Sequence, residues 1–190
     1  MPDQLIAIPL AQAMTSLATP DGVHRLAMSY LPDLHGASRS IRADLEVLYR
    51  LSLPTELGGA AGNVVIRFRA PFAIEGAQEM SAPDALRAGD RVTVRVVAEK
   101  RREDDDGRTR SRPVLDEEVT TWGQELFARH GVTVHHLAAS KRWRVGERGG
   151  RAFTVRDLTV TVASVSADSD AFARGIGRGK AFGYGMPIVL

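Results

Sequence analysis

The chain has 190 residues, of which 44% are hydrophobic and 25% are charged, a composition typical of soluble globular proteins. This length suits one larger domain or two domains of roughly 90 residues each. No apolar run reaches the roughly 20 residues that cross a bilayer, and the first residues lack the basic start and long apolar run of a signal peptide. We therefore expect a cytoplasmic protein with no membrane partner. The absence of cysteine excludes disulfides, cysteine nucleophiles and thiolate metal sites.

The formal net charge is only +2, but the cations are unevenly distributed. Between residues 141 and 156 a basic stretch contains six cations and one acid, Glu147. Its cations are Lys141, Arg142, Arg144, Arg148, Arg151 and Arg156. After Asp170 all charged side chains are cationic. This pattern suits a polyanionic partner, although a solvated face or an exposed hairpin has the same composition.

The first half of the chain begins with an apolar run at 5–10 that predicts a strand. Thr19-Pro20-Asp21 then predicts the start of a helix, which carries His24 and ends at Pro32. Its apolar side chains recur every three or four residues. Two strands follow at 45–53 and 63–69, and a weaker element covers 71–80.

A turn-rich segment at 81–90 separates this half from a second one, which begins with a strand at 91–98. A charged loop is predicted at 100–113, including the acidic run from Glu103 to Asp106, which we interpret as solvated. The elements after it are a helix at 116–130, strands at 132–137, 141–145 and 152–165, a short helix at 168–174, a glycine-rich loop and a final strand.

Both halves therefore suggest the order strand, helix, strand, strand, helix, strand. We predict an α+β protein with two tandem ferredoxin-like (RRM-like) domains, residues 1–88 and 89–190. A sheet of this type, presented twice, is a common platform for RNA.

The glycine-rich loop, residues 175–185, holds five glycines and two cations in eleven positions. Glycine lets backbone N–H groups approach a ligand, and Arg178 and Lys180 complement phosphate. The dinucleotide fingerprint fails because Lys180 stands where its third glycine should be. The P-loop motif fails because Ala181 replaces the required serine or threonine.

The segment Gly175-Ile-Gly-Arg-Gly-Lys-Ala-Phe-Gly-Tyr-Gly-Met186 resembles the signature of the CRISPR-associated repeat-processing endoribonucleases, most closely the CasE type of the Cascade complexes. Asp21-Gly-Val-His-Arg-Leu26, Glu118-Val-Thr-Thr-Trp122 and Phe153-Thr-Val-Arg-Asp-Leu-Thr-Val160 agree with that family in order and spacing. The resemblance covers nearly the whole chain and is strongest over 155–190.

The resemblance implies metal-independent cleavage of CRISPR repeat RNA at a stem-loop, with the product crRNA retained in Cascade beside its other subunits. It implies no cofactor. A histidine of the first helix acts on the scissile phosphate in this family, which here is His24. The family often places a helping tyrosine three residues earlier, but Asp21 occupies that position, and Tyr30 is the candidate helper instead.

Histidine suits this chemistry, because an imidazole with an ordinary pKa near 6.5 can accept the 2′-OH proton or donate one to the leaving oxygen. Arg25, or a cation between 141 and 151, would stabilise the phosphorane. The predicted RNA contacts are Arg25, Lys141, Arg142, Arg144, Arg174, Gly175, Gly177, Arg178, Gly179, Lys180, Gly183 and Gly185. The alternative to an enzyme is a non-catalytic RNA-binding scaffold.

Other candidates are weaker. His130, His135 and His136 have no partner at a metal-ligand spacing, so we predict no metal site. Trp122 is predicted to lie in the core. Trp143, which lies among cations, either faces the core or stacks on bases.

Overall fold

The computed structural model describes residues 2–32, 41–57, 62–103, 106–107, 109–146 and 150–190. Its strands form a four-stranded sheet, a five-stranded sheet and a separate two-stranded hairpin. The first sheet lies wholly before residue 81 and the second wholly after residue 90.

The first sheet consists of strands β1 to β4, which are Asp3–Pro9, Leu48–Ser52, Asn63–Arg69 and Gln78–Met80. It is antiparallel and has the strand order β2-β3-β1-β4. Between β1 and β2 the chain forms helices α1 to α3, which are Leu10–Leu17, Pro20–Met28 and Ile41–Asp44. Alternate residues of β3, Val64, Ile66 and Phe68, are fully buried in the first core, because successive strand side chains point to opposite faces. The apolar side chains of α2 pack against the same core.

The second sheet consists of strands β5, β8, β9, β10 and β11, which are Arg91–Val97, Val132–Ala139, Trp143–Val145, Phe153–Val165 and Pro187–Val189. Its strand order is β11-β5-β10-β8, with β9 paired to β10. Helix α4, Val119–Ala128, buries Trp122, Leu126 and Phe127 against this sheet. Helix α5, Ala171–Arg174, comes just before the glycine-rich loop. Trp122 thus lies in the core, as predicted.

Setting aside the short β9, which pairs only with β10, the strand of each sheet that comes first in the chain lies between the third and the fourth, which is the ferredoxin-like arrangement. The predicted fold class, two tandem ferredoxin-like units, is confirmed. The domain boundary between residues 88 and 89 stays a prediction.

The second helix predicted for the first half is wrong, since the described residues 70–77 between β3 and β4 form no helix. They are instead fixed by the buried Gln4. Its Nε2 donates to the carbonyl oxygen of Phe72 at 2.8 Å, and its Oε1 accepts from the N–H of Ile74 at 2.7 Å. The Gln4 side chain therefore fixes the segment before the last strand of the first sheet, whereas the corresponding segment of the second half contains a helix.

The predicted charged loop at 100–113 is also wrong, because its flanks pair as a hairpin of β6, Glu99–Glu103, and β7, Thr109–Pro113. Asp104 and Asp105 of the acidic run lie outside the described residues. Charged residues obscured the strand pattern, since this hairpin lies outside both main sheets and needs no apolar face. Helix α1 was not predicted either, since it has no side-chain N-cap.

The two halves meet through a buried arginine of β3. Arg69 is 1% exposed and binds the fully buried Asp3, with Nε donating to Oδ1 at 2.9 Å. It also donates to the carbonyl oxygens of Phe172 at 2.8 Å and Pro187 at 3.2 Å, both in the second half. Within the described residues, none of the helices has the length and apolar character to cross a membrane.

Candidate RNA-processing site

The helix that carries His24, α2, has a well-defined start. The Thr19 hydroxyl accepts a hydrogen bond from the N–H of Gly22 at 3.0 Å, and Pro20 occupies the first turn. Gly22 lies so close to the preceding helix that an added Cβ would stand 2.4 Å from the carbonyl oxygen of Ser16. The α1–α2 connection is therefore tight, and it fixes the direction of α2.

The glycine-rich loop has a defined backbone conformation in which all five glycines have φ between 77° and 84°. These glycines are Gly175, Gly177, Gly179, Gly183 and Gly185. Gly183 is required for two reasons, since it has φ 82° and a Cβ there would lie 2.8 Å from the ring of Tyr49.

Several hydrogen bonds hold this loop to the rest of the protein. The Tyr49 hydroxyl donates to the carbonyl oxygen of Ala181 at 2.7 Å, which ties the loop to the first half. On the other side, the N–H of Gly177 donates to Nε2 of His130 at 2.9 Å. The N–H of Gly185 donates to the carbonyl oxygen of Arg95, on β5, at 2.7 Å. The loop is therefore anchored to both sheets.

His24 lies against the glycine-rich loop. Its ring centroid is 5.9 Å from that of Phe182, which belongs to a short 3₁₀ turn, Lys180–Phe182. Both side chains are partly exposed. The Nδ1 atom of His24 is buried and has no hydrogen-bond partner among the described residues. A titratable ring from the first half thus meets the loop of the second half.

The predicted cations of the loop region differ in their availability. Arg178 forms an ion pair with Glu99, and Arg174 forms ion pairs with Glu46 at 2.8 Å and Asp170 at 3.5 Å. Burial lowers the pKa of Lys180, which is half-buried; Asp170 opposes this shift, and nearby Arg42 and Arg174 add to it. Part of this charge is therefore balanced within the protein.

Most of the described cations of the basic stretch are exposed to solvent. Lys141, Arg142 and Arg144 are exposed, as is Arg25 on α2. Arg156 is instead buried in an ion pair with Asp116, and Arg148 lies outside the described residues.

Two grooves border Arg178. One, of about 440 Å³, is also lined by Arg101 and Arg144. The other, of about 620 Å³, lies between the β6–β7 hairpin and α4 and is also lined by Arg129 and His130. The second half therefore has basic surface on both sides of Arg178.

Arg151, at the end of the basic stretch, lies beside α2. Its guanidinium carbon is 4.7 Å from the centre of the Phe182 ring, and its Nη1 is 3.5 Å from Oδ1 of Asp21. The sequence placed Arg151 in a general basic stretch, and Phe182 only in the glycine segment. A contact between residues 21 and 151 cannot be predicted from local sequence patterns, because the two residues are far apart in the chain.

Tyr30 does not join this group of side chains. It follows the end of α2, packs against the first core and lines a groove with Ala73 and Glu75. Trp143 is half-buried against the cluster of Val97, Val155 and Tyr184.

The other histidines have different surroundings. His135 and His136 are exposed, with their rings 4.8 Å apart. Burial lowers the pKa of His130, and Lys180 and Arg129 lower it further against the opposing effect of Asp170. In the part of the chain that the structure describes, no three His, Cys, Asp or Glu side chains group as metal ligands do.

Comparison with solved structures gives matches over the full length. The CRISPR endoribonuclease Cse3 bound to a 19-nucleotide RNA is 19% identical, with a TM-score of 0.72 and 100% of both chains covered. Cse3 of Thermus thermophilus, bound to an RNA representing a pre-cleavage complex, is 18% identical with a TM-score of 0.70, again with 100% of both chains covered. Cas6e of Escherichia coli K-12 is 15% identical with a TM-score of 0.66, and the match covers 100% of this chain and 98% of that one.

The sequence matches no protein-family model and no curated protein. The similarity to solved structures therefore lies in three-dimensional arrangement. This chain has the fold of the Cse3 and Cas6e CRISPR endoribonucleases along its entire length.

Proposed function

We propose that this protein is a metal-independent endoribonuclease that cleaves CRISPR repeat RNA at a stem-loop. The observation that carries the proposal is the contact between His24 and Phe182, which puts a proton-transfer group beside a basic, glycine-rich loop. The similarity in fold to a CRISPR endoribonuclease bound to RNA supports the same function.

The proposed reaction uses the RNA's own nucleophile. The 2′-oxygen next to the scissile phosphate attacks phosphorus, the bond to the 5′-oxygen breaks, and the products are a 2′,3′-cyclic phosphate and a 5′-hydroxyl. The 2′-OH loses one proton and the leaving oxygen gains one. His24 transfers a proton at one of these two oxygens, which contributes about 10²- to 10⁴-fold in rate. Because Nδ1 is enclosed, Nε2 is the atom that meets RNA.

The RNA backbone is held by the second half in this proposal. Lys141, Arg142 and Arg144 offer exposed charge, and Arg178 borders two basic grooves. Arg174 and Arg25 contribute at the periphery. The positive-φ glycines shape the loop so that its backbone lies close to phosphate. Binding of this kind weakens steeply as salt rises.

We further propose that the cleaved crRNA stays bound and that the protein works in the cytoplasm as one subunit of a Cascade complex. An interface built from a rigid loop and many phosphate contacts favours slow release of the product. No small-molecule cofactor takes part in the proposed reaction.

The experiment is incubation of the protein with repeat RNA from a CRISPR array of its host, in EDTA. We expect one cut with a 2′,3′-cyclic phosphate end. An RNA with a single 2′-deoxy sugar upstream of the cut should bind with equal affinity and remain intact. Cleavage of that RNA would contradict the internal-nucleophile mechanism, and uncut native RNA would contradict the activity itself.

The second candidate, an RNA-binding scaffold without catalysis, is favoured by one observation. Asp21 stands where the family often has a tyrosine, and Tyr30 packs elsewhere. A scaffold would bind the same RNA with the same salt dependence and leave both the native and the 2′-deoxy RNA uncut.

A further inference from the structure

The side chains around Phe182 form a small group that includes both charged and titratable members. His24 and Arg151 both contact the Phe182 ring, at centroid distances of 5.9 and 4.7 Å. Asp21 precedes His24 by three residues on α2, so both point to one side of the helix. Asp21 also pairs with Arg151 at 3.5 Å. An imidazole and a guanidinium therefore contact one aromatic ring, and a carboxylate contacts the guanidinium.

The Arg151 side chain is held without being buried. Its side chain is 51% exposed and that of Asp21 is 46% exposed, so the ion pair faces solvent and is individually weak. The Phe182 ring provides a second attachment through a cation–π contact. Two weak attachments restrict where the guanidinium lies and leave its N–H groups accessible to a ligand.

Other cations near the loop are less suitable for the reacting phosphate. Arg156 and Arg178 are less accessible than Arg151, with side chains 3% and 30% exposed in their ion pairs with Asp116 and Glu99. Arg174 is exposed and ion-paired as Arg151 is, but its partners are Glu46 and Asp170, away from the Phe182 ring. Arg25 follows His24 directly on α2, and neighbouring helical side chains diverge by about 100°. Among the cations that the structure describes, Arg151 is the one with a recorded contact to the same ring as His24.

Building on the proposed function, we infer that Arg151 is a further catalytic residue and that Asp21 is its positioning residue. As the 2′-oxygen attacks, the phosphorane gains negative charge, and Arg151 donates hydrogen bonds to its non-bridging oxygens. Arg151 transfers no proton, because a guanidinium does not lose one in proteins. The proton transfers remain with His24. Asp21 acts only through Arg151 and does not itself touch the RNA. It occupies the position at which the family often has a helping tyrosine.

The test is the single-turnover cleavage rate of repeat RNA at saturating protein, with affinity measured separately on the uncleavable 2′-deoxy RNA. Arg151→Ala should slow cleavage about 100-fold, the loss typical of one donor to a developing oxyanion. Its affinity should change by no more than about fivefold, as expected for one exposed charge. Arg151→Lys, which keeps the charge, should recover part of the rate. The matched control is Arg87→Ala, an exposed arginine in the turn before β5, which should cleave like the native protein.

The positioning role of Asp21 is tested by a double-mutant cycle. Asp21→Ala should slow cleavage about fivefold in the native background and produce no further loss in the Arg151→Ala background. An equal loss in both backgrounds would overturn the role given to Asp21. Native-like cleavage by a folded Arg151→Ala protein would overturn the role given to Arg151 and leave the proposed endoribonuclease intact. Failure of the native protein to cut repeat RNA would overturn the proposed function and this inference together.

Discussion

The two halves of the chain share one strand order, yet they supply different parts of the candidate site. The first half provides a capped helix with His24 and Asp21 on one side. The second half provides the anchored loop with Phe182, the exposed cations and two basic grooves. The duplicated fold thus separates proposed proton transfer from proposed RNA binding. Their relative position depends on the contacts that join the halves.

The largest expected effect comes from breaking those contacts at Arg69. Arg69→Met removes donors from the Phe172 and Pro187 carbonyls and leaves buried Asp3 with Arg67 as its remaining charged partner. Breaking a buried ion pair from one side costs about 3 kcal/mol in free energy of unfolding. Urea unfolding measures this loss, and cleavage should decline with it.

The control for Arg69 is Arg112→Ala. Arg112 pairs with Glu118 at the surface, so the same type of deletion should lower the free energy of unfolding much less than the loss of Arg69 does. Equal losses for the two variants would show that the Arg69 contacts are not what joins the halves.

A smaller effect is expected from Gly183→Ala in the loop. The added Cβ would meet the Tyr49 ring at 2.8 Å, and the residue must keep φ 82°. Backbone strain and overpacking together should cost about 2 kcal/mol and displace neighbouring Phe182. Thermal unfolding and single-turnover cleavage should both decline.

Gly76→Ala is the matched control because Gly76 has φ 73° with nothing within 4 Å of an added Cβ. The Gly76→Ala variant has the same positive-φ backbone strain but no steric clash, and Gly76 lies outside the candidate site. If Gly76→Ala lowered cleavage as much as Gly183→Ala, contact with Tyr49 would not explain the loop's geometry.

The smallest effect is a pH dependence of stability through His130. Its Nε2 accepts from Gly177, and burial lowers its pKa below the ordinary 6.5. Between 6.5 and that lower pKa the unfolded chain binds more protons than the folded protein. The free energy of unfolding should therefore fall as the pH drops below about 6.5. Above that pH the contribution of neutral His130 to stability is fully retained.

Melting temperatures at pH 7.5 and 5.5 test this, with about 2 to 4 °C expected for each kcal/mol lost. His130→Gln, which keeps an acceptor that does not titrate there, should show a smaller difference. An unchanged difference would mean that another group causes the pH dependence.

Local signals explain which parts of the sequence prediction are confirmed. Thr19-Pro20 specifies a helix start, and alternation along 63–69 and 91–98 specifies strands, so the doubled ferredoxin-like pattern was predictable. The absence of a second helix in the first half was not predictable, because residues 70–77 are fixed by Gln4, which is distant in the chain.

The site shows the same limit. His24 and the glycine-rich loop are marked by local motifs, but their contact crosses about 150 residues. The pairing of Asp21 with Arg151 depends on how the two halves pack, which periodicity does not encode. The roles of these residues stay predictions.

The central claim is that His24, placed against the loop of the other half, transfers a proton during RNA cleavage. The most direct measurement is the single-turnover cleavage rate of repeat RNA by His24→Ala in EDTA, beside His135→Ala, which alters an exposed histidine of β8. The account predicts a loss of about 10²- to 10⁴-fold for His24→Ala with RNA affinity retained, and a native rate for His135→Ala. Undiminished cleavage by a folded His24→Ala protein would contradict it.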